Sequence, residues 1–315
     1  MIKRTLYFGN PAYLSLSDAQ LLVRLPEVEK NDLLPEHFKK EAVAQIPIED
    51  IGIILLDHQQ ITITQGILEL LLENNVAIIT CNSTHHPVGL LLPLSSNTVQ
   101  NERYRAQLDA TEPLKKQLWQ QTVIQKIKNQ SSVLATQHIE NSFLIALYQN
   151  VKSGDSNNCE ATAAAYYWKY LAPALSKGEG EFRRLREGLP PNNYLNYGYA
   201  ILRGVVARSL VGSGMATFAG IHHRNKYNPY CLADDIMEPY RPYVDKVVLD
   251  ILTEETEVEE LTPSIKKKLL VIPAMDVILD NQNSPLMVAT QRTSASLMDC
   301  FEGTSRKILY PVLKI

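Results

Sequence analysis

Short apolar stretches separated by turn residues dominate the first ninety or so positions. Residues 5–8, 13–16 and 21–25 are brief apolar runs, the first two parted by Gly9-Asn10-Pro11. That pattern predicts strands punctuated by turns. Further strands are predicted at 42–48, 51–56 and 61–64, the last with consecutive β-branched residues. At 65–73 the period changes. Ile67, Leu70 and Leu71 fall on one helical face, so one helix is expected there, ended by Asn74-Asn75. A buried-looking strand over 76–81 follows.

Beyond Pro93 the spacing of apolar residues is largely helical. Helices are predicted at 97–110, 113–129, 136–151, 160–171, 193–212, 235–252, 263–271 and 288–302, with loops at 152–158 and 178–192. The expected fold class is α+β: a small β-rich N-terminal domain with one helix over 1–93, then a larger all-α domain over 94–315.

Composition narrows the class. The 315 residues are 45% hydrophobic and 21% charged, the balance of a folded chain, which excludes disorder as the main state. No apolar run approaches a membrane span, and Met1-Ile2-Lys3-Arg4-Thr5 lacks the apolar core of a secretion signal. Cys81, Cys159, Cys231 and Cys300 form no CxxC pair, which argues against a zinc knuckle or disulfide framework and for a cytoplasmic setting. With a formal net charge of −3, any nucleic-acid binding must come from a local basic surface.

Three segments carry candidate chemistry. In the first, Gly220-Ile221-His222-His223-Arg224-Asn225-Lys226 precedes Asp234-Asp235-Ile236-Met237-Glu238-Pro239-Tyr240-Arg241. Asp235 and Glu238 are an i, i+3 pair, so a loop histidine folding onto them would complete a metal site. The structural alternative is an acidic helix start with capping-box spacing, or a helix that begins near Pro239. In the second, Gly154-Asp155-Ser156-Asn157-Asn158 is turn chemistry ahead of Glu160, which enters an alanine-rich helix. Glu160 either complements the helix dipole or is buried by close packing and must then be paired, neutral or metal-bound. The third is a stretch in which Arg183, Arg184, Arg186, Arg203, Arg208, Arg224, Lys226, Arg241 and Lys246 interleave with tyrosines, diluted by Glu179, Glu181 and Glu187. It suits phosphate contacts and base stacking, or else a salt-bridged loop and core tyrosines.

Taken in order, these motifs resemble one family. Gly154-Asp155…Asn158-Cys159-Glu160-Ala161, Asn196-Tyr197-Gly198-Tyr199-Ala200-Ile201-Leu202-Arg203, Gly220-Ile221-His222-His223 and Ala233-Asp234-Asp235-Ile236-Met237-Glu238-Pro239-Tyr240-Arg241-Pro242 are similar to the CRISPR-associated adaptation integrases, the catalytic proteins of spacer acquisition. Arg4-Thr5-Leu6-Tyr7-Phe8 and Ile46-Pro47-Ile48-Glu49-Asp50-Ile51 resemble their N-terminal domain, and the wording of the later motifs is most like proteins encoded with type II systems.

The resemblance implies a divalent-metal-dependent endonuclease and integrase. It would insert DNA fragments into a CRISPR array by attack of a 3′-hydroxyl on a repeat-end phosphodiester. By motif match the metal ligands are Glu160, His223 and Glu238, with Asp235 at a second acidic position. Many relatives carry aspartate where Glu238 stands. The ligand is either His222 or His223, and His223 fills the last place of the Gly-x-x-His pattern. An oxygen-rich set of this kind suits Mg²⁺ or Mn²⁺. Arg224, Lys226, Arg241 and Arg184 are the candidate DNA contacts. The implied partners are double-stranded DNA (prespacer and repeat-leader), a second copy in a homodimer, the small adaptation partner protein and other type II adaptation proteins. The competing readings are a stand-alone metal-dependent DNA nuclease and a non-catalytic DNA-binding scaffold.

Overall fold

The computed structural model describes residues 3–29, 43–176, 182–185, 188–254 and 260–314. Ala42 at the start of one predicted strand, and Glu179, Glu181, Arg186 and Glu187 of the mixed-charge loop, lie outside the described residues. Backbone contacts divide the chain into two compact units, Met1–Ser96 and Asn97–Ile315.

The N-terminal unit contains β1 (Arg4–Phe8), β2 (Ala12–Ser17), β3 (Gln20–Arg24), α1 (Pro26–Glu29), β4 (Ala44–Pro47), β5 (Ile51–Leu56), β6 (Ile61–Ile63), α2 (Gln65–Glu73), β7 (Ala77–Cys81) and β8 (Pro87–Leu91). They form two four-stranded sheets, ordered β1-β5-β7-β8 and β4-β3-β2-β6. In the first sheet β1, β5 and β7 run parallel, with Ile53 opposite Ala77, and β8 returns antiparallel. The continuous apolar run of β5 follows from this place, because an inner parallel strand is covered on both faces. Leu14, Leu21, Ile51, Ile54 and Ile78 bury completely with Ile67 and Leu71 of α2. Asn75, at φ +54°, ends α2 by letting its amide and that of Val76 turn back onto Leu72 and Leu71.

The second unit contains α3 (Gln100–Leu108), α4 (Glu112–Thr136), α5 (Ser142–Gln149), α6 (Cys159–Leu175), α7 (Asn192–Gly212), α8 (Cys231–Met237), α9 (Arg241–Glu254), α10 (Pro263–Leu269), β9 (Asp276–Leu279), β10 (Gln282–Pro285) and α11 (Leu286–Phe301). Helix α7 is buried on nearly every side, including Tyr194, Tyr197 and Tyr199. Gly198 gives it close approach to α9, since a Cβ there would lie 2.5 Å from Val244 Cγ1. Helix α4 is capped by Thr111, whose Oγ1 accepts the Leu114 amide, and it runs through Asn129 to Thr136.

Two parts of the expected fold class are corrected. The C-terminal region is not all-α, because β9 and β10 pair antiparallel there as a hairpin. The N-terminal region holds a second short helix, α1, beside the one expected. The hairpin escapes a periodicity reading because its strands are four residues long and β10 is largely polar. Its turn, Asp280-Asn281, takes left-handed φ values of 53° and 59°, a conformation that aspartate and asparagine tolerate.

Candidate active site

Glu160 owes its position to the turn before α6. Gly154 and Asp155 adopt positive φ values of 66° and 53°, which swings the Asp155 carboxylate under the helix start. There it accepts the Cys159 amide at 2.8 Å and the Glu160 amide at 3.0 Å. Asp155 therefore satisfies the free N–H groups of the first turn and leaves the Glu160 side chain for other work.

Glu238 sits where helix α8 passes through a 3-10 turn, Glu238–Tyr240, into α9. Pro239 does not break the chain's direction; it occupies an early position of the turn, where no amide hydrogen is needed. Asn129 of α4 fastens this turn by donating to the Pro239 carbonyl at 2.7 Å. The same side chain donates to the Pro311 carbonyl and accepts the Leu313 amide, so it is a buried bracket rather than a helix stop.

The two carboxylates meet on one cation. Lys126 Nζ of α4 lies 2.7 Å from Glu160 Oε1 and 2.6 Å from Glu238 Oε2. The two oxygens are thus less than two hydrogen-bond lengths apart. The contact to Glu238 Oε2 is a short ion pair, so the charge of this buried oxygen is compensated by the ammonium. Arg241 Nε holds the other oxygen, Oε1, at 2.8 Å. Burial works to raise the Glu238 carboxyl, and the charges of Arg241 and Lys126 overcome it, holding its pKa at about 2. Burial also works to lower the Lys126 ammonium, and Glu238 and Glu160 outweigh it, so its pKa is raised.

The histidine loop is anchored separately. Asp235, fully buried in α8, accepts the His222 amide at 2.9 Å and the His223 amide at 3.2 Å. It also pairs with His223 Nδ1 at 2.5 Å. That bond raises the His223 pKa against the opposing effect of burial, with further contributions from Glu238 and Glu160. Since Nδ1 is used, Nε2 is the ring atom presented to any other group. His222 instead lies flat on Trp119 of α4, with ring centroids 4.1 Å apart, and burial lowers its pKa. Gly220 permits the turn: a Cβ there would lie 2.5 Å from the His223 carbonyl oxygen and 2.7 Å from Asp235 Oδ2. Asp235 and Glu238 neither cap a helix nor share a task. One holds the histidine loop, and the other faces Lys126.

The basic candidates all have protein partners. Arg224 is clamped to both oxygens of Glu112 at 2.6 and 2.7 Å. Lys226 lies over the Tyr227 ring. Arg184 donates to Asn192, Asn196 and the Leu185 carbonyl, and it faces Tyr199 from 5.3 Å, as Arg241 does from 4.7 Å. A cavity of about 290 Å³ lies beside Lys126 and Glu238, lined by Trp168, Arg184, Tyr199 and Arg241. At its floor Asp245 accepts hydrogen bonds from Tyr167 and Tyr199. Burial pushes the Asp245 carboxyl up to about 6, against those two hydroxyls and the nearby arginines.

Sequence matches Lys126, Trp119, Asn129 and Asp245 to no motif, and gives Asp155 no role within the one that contains it. Asp155 alone leaves a local signal, an aspartate in a glycine–asparagine turn four residues before a helix.

The profile of the family described as CRISPR associated protein Cas1 matches residues 8–263. The chain belongs to the Cas1 family. The CRISPR-associated endonuclease Cas1 of Neisseria meningitidis serogroup C (strain 8013) is 33% identical, over 94% of this chain and 91% of the relative. A casposase bound to its integration product has the same fold at a TM-score of 0.77 and 18% identity, over 100% of this chain and 96% of that one. A Cas6-RT-Cas1–Cas2 complex gives 0.74 at 20% identity, over 99% of this chain and 36% of the longer one. Against Cas1 relatives named endonucleases, the donors gathered here are acid-base and metal-binding in kind. Among the described residues, no three His, Cys, Asp or Glu side chains already stand at ion-coordinating spacing. The fit lies in the donor set: two carboxylates bracket a cation, and an oriented imidazole stands nearby. Among the described residues, no helix is long and apolar enough to cross a membrane.

Proposed function

We propose that this Cas1-family chain is a DNA strand-transfer enzyme that inserts DNA fragments into a CRISPR array, with Glu160, His223 and Glu238 holding a Mg²⁺ or Mn²⁺ ion. The observation that carries the reading is the convergence of Glu160 and Glu238 on a single, largely buried cation, Lys126, within 2.7 Å of each. The DNA supplies the nucleophile, a 3′-hydroxyl, which bonds to the repeat-end phosphorus as the repeat strand's own 3′-oxygen departs and takes up a proton, so the protein needs no serine or cysteine for it. When bound, the metal would favour the deprotonated hydroxyl and offset charge on the attacked phosphate. The chain's own residues do the rest. Asp235 orients His223, Arg241 steadies Glu238, and the cavity lined by Trp168, Arg184 and Tyr199 offers cationic and aromatic surface to a phosphate and its base.

In this reading residues 94–315 carry catalysis and DNA contacts, and residues 1–93 carry dimer and partner contacts. The partners are a second copy and the small adaptation protein, consistent with the shared fold in a Cas1–Cas2 complex. The test is strand transfer of a fluorescent duplex with free 3′-hydroxyls. Joined product should require Mn²⁺ or Mg²⁺ and vanish in Glu160→Ala and His223→Ala. Unchanged activity in both variants refutes the site. Cleavage without joining, with the partner protein present, would instead favour a stand-alone nuclease, a reading encouraged by the endonuclease names of the relatives.

A further inference from the structure

Lys126 is not a ligand type, yet it occupies the centre of the carboxylate pair. Its side chain is 12% exposed, against 23% for Glu160 and 8% for Glu238. The charge arithmetic of the cluster is closed without a metal: two carboxylates, Glu160 and Glu238, face two cations, Lys126 and Arg241. A dication added to this neutral cluster would place two surplus positive charges in a largely buried site. Like charges a few ångströms apart in such surroundings repel strongly. Arg241 binds Glu238 from outside the pair and stacks near Tyr199, so it can stay. Lys126 cannot, because its ammonium takes the oxygens that the ion needs.

We propose that Lys126 is a built-in competitor cation that holds Glu160 and Glu238 at metal-binding separation and must leave before a divalent ion can bind between them. This inference rests on the metal-site reading above. It assigns Lys126 two effects: pre-organising the carboxylates when no ion is bound, and weakening ion affinity. A lysine suits that role because its ammonium is a point charge on a flexible four-carbon stem and can swing aside without disturbing α4.

The experiment is Mn²⁺ titration of the full chain by calorimetry, comparing wild type with Lys126→Met, Lys126→Arg and Glu160→Gln. Met keeps the length and removes the charge, and it should bind Mn²⁺ at least tenfold more tightly than wild type. Arg keeps the charge and should stay weak, within a few-fold of wild type. Glu160→Gln should lose binding. Should Lys126→Met fail to fold, amine labelling of the wild-type chain read by peptide mass spectrometry decides the matter. Lys126 labelling should rise several-fold at saturating Mn²⁺, as its two carboxylates are taken. Wild-type binding through Glu160, with Lys126→Met no tighter and labelling unmoved by Mn²⁺, overturns the competitor role and leaves the metal site standing. No Mn²⁺ binding by either wild type or Lys126→Met, or binding unaffected by Glu160→Gln, overturns the metal-site reading itself.

Discussion

Asp235→Asn isolates what the buried carboxylate contributes to the histidine loop. In the native chain Oδ1 serves both the His223 amide and His223 Nδ1, and Oδ2 serves the His222 amide. An asparagine has one acceptor oxygen. If that oxygen takes the His223 pair, its NH₂ group faces the His222 N–H, and two donors oppose each other. An orphaned donor costs about 1–3 kcal/mol, and weakening two charge-assisted bonds to neutral ones costs about 1 kcal/mol each. Because the His223 side chain is 44% exposed, water recovers part of this. The expected loss is about 2–4 kcal/mol, or roughly 5–10 °C in the melting of a unit of this size. The isostere leaves packing alone, so far-UV circular dichroism should be unchanged below the transition. Strand transfer per folded molecule should fall about 10- to 100-fold, the usual effect of removing the partner that aims a ligating histidine. Melting within about 1 °C of wild type together with unchanged strand transfer would refute the strut assignment. Lower stability with full activity would show that His223 orientation does not matter to the reaction.

Other consequences follow from the same contacts. Gly220→Ala forces a methyl against the His223 carbonyl and the Asp235 carboxylate, so it should cost about 1–3 kcal/mol in urea unfolding and reduce strand transfer at least tenfold. Asn129→Ala strands the Pro239 and Pro311 carbonyls and the Leu313 amide in the interior, and should cost about 3 kcal/mol or more in the same measurement. Asp245 has its pKa raised from 3.8 to about 6, so the folded state binds that proton more tightly than the unfolded chain. Its contribution is fully present below pH 3.8 and is lost as pH rises through about 6, a change of about 3 kcal/mol. Unfolding of Asp245→Asn against wild type across that window should show the variant gaining stability relative to wild type by about this amount. A difference that stays flat with pH would contradict the raised pKa.

Much of the architecture is written locally. The run Ile51-Gly52-Ile53-Ile54-Leu55-Leu56 can only be satisfied by burial on both faces, and it forms the inner strand β5. The one-sided spacing of Ile67 and Leu71 produces α2 over the very residues expected. The expected helix over 193–212 appears as Asn192–Gly212. Local pattern misleads where a residue's role is set from outside. Asn129 reads as a helix stop, yet it continues α4, because the turn at Pro239 and the C-terminal segment supply its hydrogen bonds. The hairpin of β9 and β10 is missed because each strand is only four residues long and β10 is largely polar, so the C-terminal region is helical but not wholly so.

The candidate site divides along the same line. The family resemblance, carried by motifs that keep their order along the chain, makes Glu160, His223, Asp235 and Glu238 the candidates. Their division of labour is not legible there. Asp235 turns to the histidines and Glu238 to Lys126 because each side chain follows its own element's direction in space, which separation along the chain does not encode. Lys126 stands in Gln125-Lys126-Ile127-Lys128, indistinguishable there from any solvent-facing lysine of an amphipathic helix. Only the packing of α4 against α6 and the Glu238 turn removes it from water and leaves two carboxylates as its neighbours. Charge in a sequence is a property of residue type. Its meaning comes from the distance and dielectric that the tertiary fold imposes.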